Sequence, residues 1–168
     1  MELQTVTLDH PDAQCLIAGV QQEYVHRYGG EDDTPIDVSE FAAPRGTFVV
    51  GYRHGVAVAC GGWRCREAGP EFAAGDAEIK RMYVVPAQRG RGLSRVLLAE
   101  LERRAVAAGR RRLVLETGTR QPEAIGLYVS SGYTAIPRFG KHRCAPASRC
   151  FAKLLPVAAG AGRVGVSR

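Results

Sequence analysis

The chain has 168 residues and a net charge of +6, and 45% of its residues are hydrophobic. This length and composition predict one globular domain whose core needs neither disulfides nor a metal. We place that domain at residues 1–156, followed by a C-terminal tail at 157–168 that lacks periodicity. No secretory signal and no apolar run of membrane-spanning length occur, so we expect a cytoplasmic protein without a membrane partner.

The predicted elements begin with a strand at 2–8 and an amphipathic helix at 11–27, with Pro11 in the first turn of the helix. Residues 29–44 contain five acidic residues and no basic residue before Arg45. Such a segment is too acidic for a core element, so we expect an irregular loop with at most a short helix.

Strands are predicted at 46–52 and 56–64, where the turn "RHG" between them indicates a hairpin. A fourth strand, 76–85, is stopped by Pro86. The helix that follows has an apolar stripe and stops near Gly109. The residues of the predicted stripe are Leu93, Val96, Leu97, Leu101 and Ala105.

The remaining elements alternate in type. They are a strand at 112–117, a short helix at 121–132 and final strands in "YTAI" and "SRCFAKLL". A basic loop, "PRFGKHRCAPA", joins the last two strands. This order indicates an α/β layered domain with a mixed sheet.

Five cysteines are scattered along the chain. Their odd number argues against a disulfide framework, and the spacing of Cys60 and Cys65 matches no common zinc site. We therefore expect free thiols and no metal. Cys60 as a nucleophile is an alternative, but no histidine lies near it in the sequence.

The segment "RMYVVPAQRGRGLSRVLLAELERRA" joins a strand, a glycine turn and a helix. Helix starts of this kind bind phosphates. A mononucleotide P-loop is excluded because no lysine follows the second glycine. A dinucleotide fingerprint is disfavoured because Arg95 occupies the third glycine position. The arginines around the turn suit a small polyphosphate at least as well as a nucleic acid.

The turn Arg89-Gly90-Arg91-Gly92-Leu93-Ser94 resembles the (Q/R)xxGx(G/A) motif of the GNAT acetyltransferase superfamily. The downstream stretch "AIGLYVSSGY" resembles the A-I-x-L-Y-x-x-x-G-F/Y segment of the same family. Two departures are Ser94 at the last small position and Gln121 where the family often has asparagine. The resemblance implies a mostly antiparallel mixed sheet of six to seven strands flanked by helices, with splayed central parallel strands.

The resemblance also implies acetyl-CoA as co-substrate and direct transfer of its acetyl group to a primary amine of a small molecule or peptide. The glycine turn and its arginines would bind the pyrophosphate, since exposed amides and helix dipole both favour anions there. The strand before the turn would pair with the pantetheine arm. The implied cofactor-binding residues are Met82, Tyr83, Val84, Arg89, Gly90, Arg91, Gly92, Leu93, Ser94, Arg95 and Gln121.

Tyr128 matches the general acid of the family, which protonates the departing thiolate. Glu78 matches the basic glutamate of the histone-acetylating branch, and Glu116 is a weaker candidate for the base. The acceptor would enter between the acidic stretch 29–44 and the basic loop that contains Lys141, His142 and Arg143. We therefore consider an acceptor with one cationic and one anionic end.

Two other functions stay open at this stage. One is a non-catalytic acyl-CoA-binding or regulatory domain, which would keep the glycine turn and lose the amine chemistry. The other is a nucleic-acid binder, suggested by the charge. It is disfavoured because the chain offers neither an aromatic-basic platform nor a recognition helix. We expect no nucleic-acid partner, and a monomer or homodimer.

Overall fold

The computed structural model describes residues 1–157, so the predicted tail lies outside the described residues except for Val157. Within this range seven strands form one sheet in the order β1-β2-β3-β4-β5-β7-β6. The elements in chain order are β1 (Glu2–Thr5), α1 (Pro11–Tyr28), β2 (Gly46–Arg53), β3 (Val56–Cys65), β4 (Asp76–Val84), α2 (Leu93–Ala107), β5 (Arg112–Gly118), α3 (Pro122–Ser130), β6 (Thr134–Ile136) and β7 (Ser148–Leu154).

All strand pairs are antiparallel except β4 with β5. The predicted fold class is therefore confirmed, as are the helices at the predicted places. The first strand is shorter than predicted and ends at Thr5. In the acidic stretch a single short 3-10 helix, Val38–Phe41, occurs. None of the helices in the described part of the chain combines the length and the apolar character needed to cross a bilayer.

The sheet opens between β4 and β5. Their parallel pairing starts at Asp76 with Arg112 and ends at Ile79 with Leu115. The remainder of β4, residues 80–84, pairs with β3 on one side and with no β5 residue on the other. Backbone amides and carbonyls on that open side are free to bind something else, because a strand that loses its neighbour keeps its polar groups.

A bulge in β4 accompanies this opening. The register shifts between Cys60 and Gly62 of β3, so that Arg81 and Met82 together face Gly61. Arg81 has a φ of 58°, which is uncommon for a residue with a side chain. A bulge bends its strand and redirects the side chains that follow. The structure thus turns the end of β4 away from β5 at the point where pairing stops.

Helix α2 packs on the sheet through a stripe that differs in part from the predicted one. The buried residues are Leu93, Leu97, Leu98, Leu101 and Ala105. Val96 is 49% exposed, so its assignment to the stripe was wrong. Val96 and Leu98 lie on opposite borders of the stripe, and the position of the sheet decides which border is covered. On the outer face, Glu100 accepts a hydrogen bond from Nε of Arg104, as the spacing predicted.

Candidate active site

Two cavities meet at the opening between β4 and β5. The one beside the glycine turn, which we name the turn cavity, has a volume of about 230 Å³. The other, the splay cavity, has a volume of about 350 Å³ and lies between the end of α1, the diverging strands and the loop before β7. The residues that line both cavities are Met82, Gln121, Ala124 and Tyr128.

The glycine turn has the backbone shape that a phosphate site requires. Gly90 and Gly92 adopt φ values of 73° and 74°, in the left-handed region that favours glycine. A Cβ built on either residue would meet no atom within 4 Å, so the space above the turn is open. Gly92 is also the N-cap of α2, and no side chain caps the first amides of this helix. Those amides and the helix dipole can therefore bind an anion.

Most of the predicted cofactor-binding residues line the turn cavity. They are Met82, Tyr83, Val84, Arg89, Gly90, Gly92, Leu93, Ser94 and Gln121. Gln121 lies at the junction with the splay cavity, where its Oε1 is 3.4 Å from the Tyr28 hydroxyl and 3.3 Å from Oγ1 of Thr117. The longer glutamine stem thus still brings an amide to the junction.

The arginines of the turn differ in their surroundings. Nε of Arg89 donates to the carbonyl of Val84 at 2.9 Å, and its guanidinium pairs with Glu23. Arg89 therefore also holds the end of β4. Arg91 and Arg95 do not line the turn cavity; both are exposed, and Arg95 donates to Oγ of Ser130 at 2.6 Å. These two side chains lie near the turn without forming its wall.

Tyr128 occupies the centre of the site. It is buried on α3, and its hydroxyl lies 3.8 Å from Sδ of Met82. Its ring packs edge-on against Tyr133, with centroids 5.6 Å apart. Burial raises the pKa of the phenol well above its ordinary value. The hydroxyl therefore keeps its proton at neutral pH and can donate it to an atom at the junction of the cavities.

Glu78, the first candidate for the base, lies elsewhere. Its side chain is buried and lines neither the splay cavity nor the turn cavity. Its Oε2 accepts from Nε of Arg64 at 3.0 Å, and Arg64 stands opposite Glu78 in the register of β3 and β4. Nζ of Lys80 lies 3.8 Å from Oε1 of the same carboxylate. Arg64 and Lys80 thus flank this carboxylate, and it lies outside the two cavities that meet at Tyr128, so the geometry argues against Glu78 as the base.

Glu116 is better placed. It lies on β5 just beyond the last residue paired with β4, and it lines the splay cavity. Its Oε1 accepts a hydrogen bond from the Ser148 hydroxyl at 2.7 Å. No cationic side chain lies within ion-pair distance among residues 1–157. A carboxylate of this kind can receive a proton or bind a cation.

The acidic and basic loops pair with each other rather than with separate ends of a ligand. Nζ of Lys141 lies 2.5 Å from Oδ2 of Asp33, and Nε2 of His142 lies 3.3 Å from Oδ1 of Asp32. Their charges are therefore compensated within the protein. The interpretation that these two loops supply the charges for a zwitterionic acceptor is not supported by this geometry.

Asp32 also ties the acidic loop to the bulge of β4. Its Oδ2 accepts from Nη1 of Arg81 at 2.6 Å and lies 3.4 Å from Nζ of Lys80. Burial alone would raise the pKa of Asp32, but Lys80, the Thr34 hydroxyl and Arg81 hold it well below its ordinary value. The ligating atoms of Asp32, Asp33 and His142 lie within 4.8 Å of one another. Because two cations already bind Asp32, this group does not need a metal.

Two further groups complete the description. Cys60 is buried and its thiol donates to the carbonyl of Arg81 at 3.4 Å. Burial raises the pKa of this thiol far above neutrality, which argues against the nucleophile hypothesis.

Tyr24 and Tyr28 of α1 line the splay cavity, and burial raises the pKa of Tyr24 to about 12. The sequence predicted α1 as an amphipathic helix but not that its last turns form a cavity wall.

The sequence and the fold of this chain are similar to those of known proteins. The sequence profile of the Acetyltransferase (GNAT) family matches residues 17–133. An IAA acetyltransferase from Azospirillum brasilense is 36% identical over 121 residues, which cover 72% of this chain and 76% of that protein. A Klebsiella pneumoniae protein described as an acyl-CoA N-acyltransferase is 29% identical and superposes with a TM-score of 0.75, covering 92% of this chain and 97% of that one.

A more distant structure, from Salmonella typhimurium, was solved with acetyl-CoA. It is 18% identical, has a TM-score of 0.64 and covers 95% of this chain and 97% of that one, so it supports the fold alone. The family profile covers well over half of the chain, and residues 17–133 include the glycine turn, β4, β5 and the helix that carries Tyr128. The chain belongs to the GNAT acetyltransferase family and is an acyltransferase.

Proposed function

We propose that the protein transfers an acetyl group directly from acetyl-CoA to a primary amine of a small molecule or peptide. The observation that carries this proposal is the junction of two cavities beside one buried phenol. A donor along the turn cavity and an acceptor in the splay cavity would meet at Tyr128 and Met82. Direct transfer needs this arrangement, because both substrates must be held together at the reacting carbonyl.

The turn cavity suits the donor in two ways. Open backbone above Gly90 and Gly92, with uncapped amides at the start of α2, suits a pyrophosphate. The backbone of β4 from Met82 to Val84 has no β5 partner and, apart from the Val84 carbonyl held by Arg89, suits the amide groups of a pantetheine arm, which would extend β4 on its open side. The thioester would then reach the junction. The first feature gives the motif residues Gly90 and Gly92 a physical role, and the second is a property of the opened sheet.

The reaction itself requires three proton movements. The acceptor ammonium group first gives one proton to a carboxylate, directly or through water, and the neutral nitrogen then attacks the thioester carbonyl. A C–N bond forms and the C–S bond breaks; the sulfur takes a proton from the Tyr128 hydroxyl, and the nitrogen gives its second proton, directly or through water, to the Tyr128 phenolate. The products are the N-acetylated amine, the free thiol of CoA and one proton, which the carboxylate releases to solvent.

We assign the role of base to Glu116. Its carboxylate faces the splay cavity without an ionic partner in the described chain, and the Ser148 hydroxyl orients it. Glu78, by contrast, lies in an ion pair with Arg64 outside both cavities. The proposed catalytic pair is therefore Glu116 on β5 and Tyr128 on α3.

A turnover screen tests the proposal. Release of the CoA thiol from acetyl-CoA is measured with amino acids, polyamines, aminoglycosides and peptides, and the acetylated product is identified by mass spectrometry. The expected result is amine-dependent thiol release with one acetyl group on nitrogen. Tight acetyl-CoA binding without turnover on any amine would contradict the proposal and indicate a non-catalytic acyl-CoA-binding domain.

A further inference from the structure

A third cavity opens beside the splay cavity. It has a volume of about 300 Å³, and we name it the charged cavity. It shares the residues Lys80 and Glu116 with the splay cavity, so the two are neighbours with a common wall. The other charged residues that line it are Glu40, Arg64, Arg66, Glu78 and Lys141. A molecule that places its amine near Glu116 would have its other end within reach of these groups.

Most cations of the charged cavity already have partners. Arg64 donates to Glu78 at 3.0 Å and to Glu40 at 2.8 Å. Lys80 lies 3.4 Å from a carboxylate oxygen of Asp32, and Lys141 pairs with the acidic loop as described above. These side chains are held by the protein and have little capacity left for a ligand.

Arg66 is the exception. Among residues 1–157 its guanidinium makes no hydrogen bond, and its single ionic neighbour is Glu78 at 3.7 Å, beyond hydrogen-bond distance. That carboxylate already binds Arg64. The Nε of Arg66 is buried without a partner, which is rare for so strong a donor. Its side chain is 28% exposed, so the outer nitrogens can be reached from the cavity.

The plane of this guanidinium is held by aromatic packing. Its central carbon lies 4.3 Å from the centroid of the Phe72 ring, and Phe72 packs against Phe139 with centroids 5.0 Å apart. Both phenylalanines are buried and line the same cavity. A stacked arginine loses little further freedom when it binds a carboxylate with two parallel N–H groups. The site is therefore built before a ligand arrives.

We propose that Arg66 and the charged cavity bind the carboxylate of the amine acceptor, so that the acceptor is an amino acid or another small amine that also carries a carboxylate. This inference rests on the proposed function and adds the class of its acceptor. Arg66 supplies one spare positive charge beside Glu78 and Glu116, and this charge matches a ligand group that carries a single negative charge. A phosphate dianion would be repelled by these two carboxylates, which favours the carboxylate as the ligand group.

The test compares each amino acid with the amine obtained by removing its carboxylate. The pairs are tyrosine with tyramine, lysine with cadaverine and phenylalanine with phenethylamine. In the wild-type protein at least one amino acid should exceed its amine by tenfold or more in kcat/KM, since a site built to bind a polar group rejects the analogue that lacks it. Equal values in every pair would overturn the inference.

Arg66→Met should abolish this preference while leaving kcat/KM for the decarboxylated amine and KM for acetyl-CoA within about twofold. Arg66→Lys keeps the charge but loses the planar fork, so it should restore part of the preference. Arg110→Met is the matched control: it removes a half-buried arginine that lines none of the three cavities and should change nothing. A preference that survives in Arg66→Met would contradict the role of this residue.

Calorimetric binding separates this inference from the proposed function. Each amino acid and its amine are titrated into the protein saturated with CoA, which needs no turnover. Tighter binding of the amino acid, lost in Arg66→Met, would support the carboxylate site even if no acetyl transfer occurred. Turnover of amines without any carboxylate preference would instead uphold the transferase and refute the site.

Discussion

The hydroxyl of Tyr128 lies 3.8 Å from Sδ of Met82, across the opening between α3 and the bulged end of β4. Both residues line the turn cavity and the splay cavity. Met82 belongs to the part of β4 that has left β5, and Tyr128 is buried on the far side of the gap. This contact therefore marks the place where a donor and an acceptor can meet.

Tyr128→Phe should lower kcat by about 100-fold, the usual effect of removing a general acid, while KM for acetyl-CoA changes less than twofold. Because burial raises the pKa of the phenol, its protonated form persists as the pH rises, and Tyr128 should cause no loss of kcat between pH 7 and 9. Tyr133→Phe is the matched control, since Tyr133 packs on the Tyr128 ring but lines neither cavity. Unchanged turnover in Tyr128→Phe would refute the assignment.

Glu116→Gln should lower kcat/KM for the acceptor by roughly 100-fold, because the amide cannot take the ammonium proton. The change keeps the shape of the side chain and its contact with Ser148. Glu31→Gln serves as control, since Glu31 also lines the splay cavity but is exposed on the acidic loop. Steady-state kinetics of both variants test the role of Glu116 as the base. An equal loss of kcat/KM in Glu116→Gln and Glu31→Gln would instead indicate a general effect of charge in the cavity.

Glu78→Ala should destabilise the fold by about 3 kcal/mol, the cost of removing one partner from a buried ion pair, although Arg64 keeps its contact with Glu40. Arg64 would lose the carboxylate that it binds at 3.0 Å. Urea unfolding measures this effect. Glu100→Ala removes an ion pair on the outer face of α2 and should cost about 0.5 kcal/mol. If Glu78 were instead the base, Glu78→Gln would lose turnover under conditions in which urea unfolding shows the variant to be fully folded.

The fold could be predicted from the sequence where local signals were strong. Glycine and proline delimit most elements, and α2 carries an apolar stripe over its whole length. The opened pair of β4 and β5 came from the family resemblance rather than from any property of the residues themselves. The bulge at Arg81 could not be predicted, because it depends on the register with Gly61 and on the ion pair with Asp32.

The charge pairs of the site were the least predictable part. Asp32 and His142 are 110 positions apart, and local periodicity carries no information about such contacts. The surroundings of Glu78 were unpredictable for a related reason. Its position before the glycine turn matched the base of the family, whereas the hairpin register places Arg64 directly opposite. The register decides these surroundings, because a shift of one residue in the pairing of β3 and β4 would put the Glu78 carboxylate on the other face of the sheet.

Asp32→Asn should lower the free energy of unfolding at pH 7 by about 3 kcal/mol, since Arg81 and Lys80 lose their partner. The pKa of Asp32 is lowered in the folded state, so its contribution is complete above the ordinary value of about 3.9 and is lost as the pH falls further. The wild type and the variant should therefore differ constantly from pH 8 to 5 and converge below pH 4 in urea unfolding. Asp33→Asn, an exposed neighbour, should change little at any pH.

Gly92→Ala should separate phosphate binding from stability. Gly92 has a φ of 74°, and Gly109, beyond the other end of α2, has a φ of 71°. A Cβ added at either position would have no atom within 4 Å. Each alanine should therefore cost about 1 kcal/mol from backbone strain, without a steric clash. Gly92→Ala alone puts a methyl group where the pyrophosphate must approach the first amides of α2, and should weaken acetyl-CoA binding by tenfold or more in calorimetry. Gly109→Ala should bind acetyl-CoA like the wild type; equal weakening in both variants would mean that strain in α2, rather than the turn itself, controls binding.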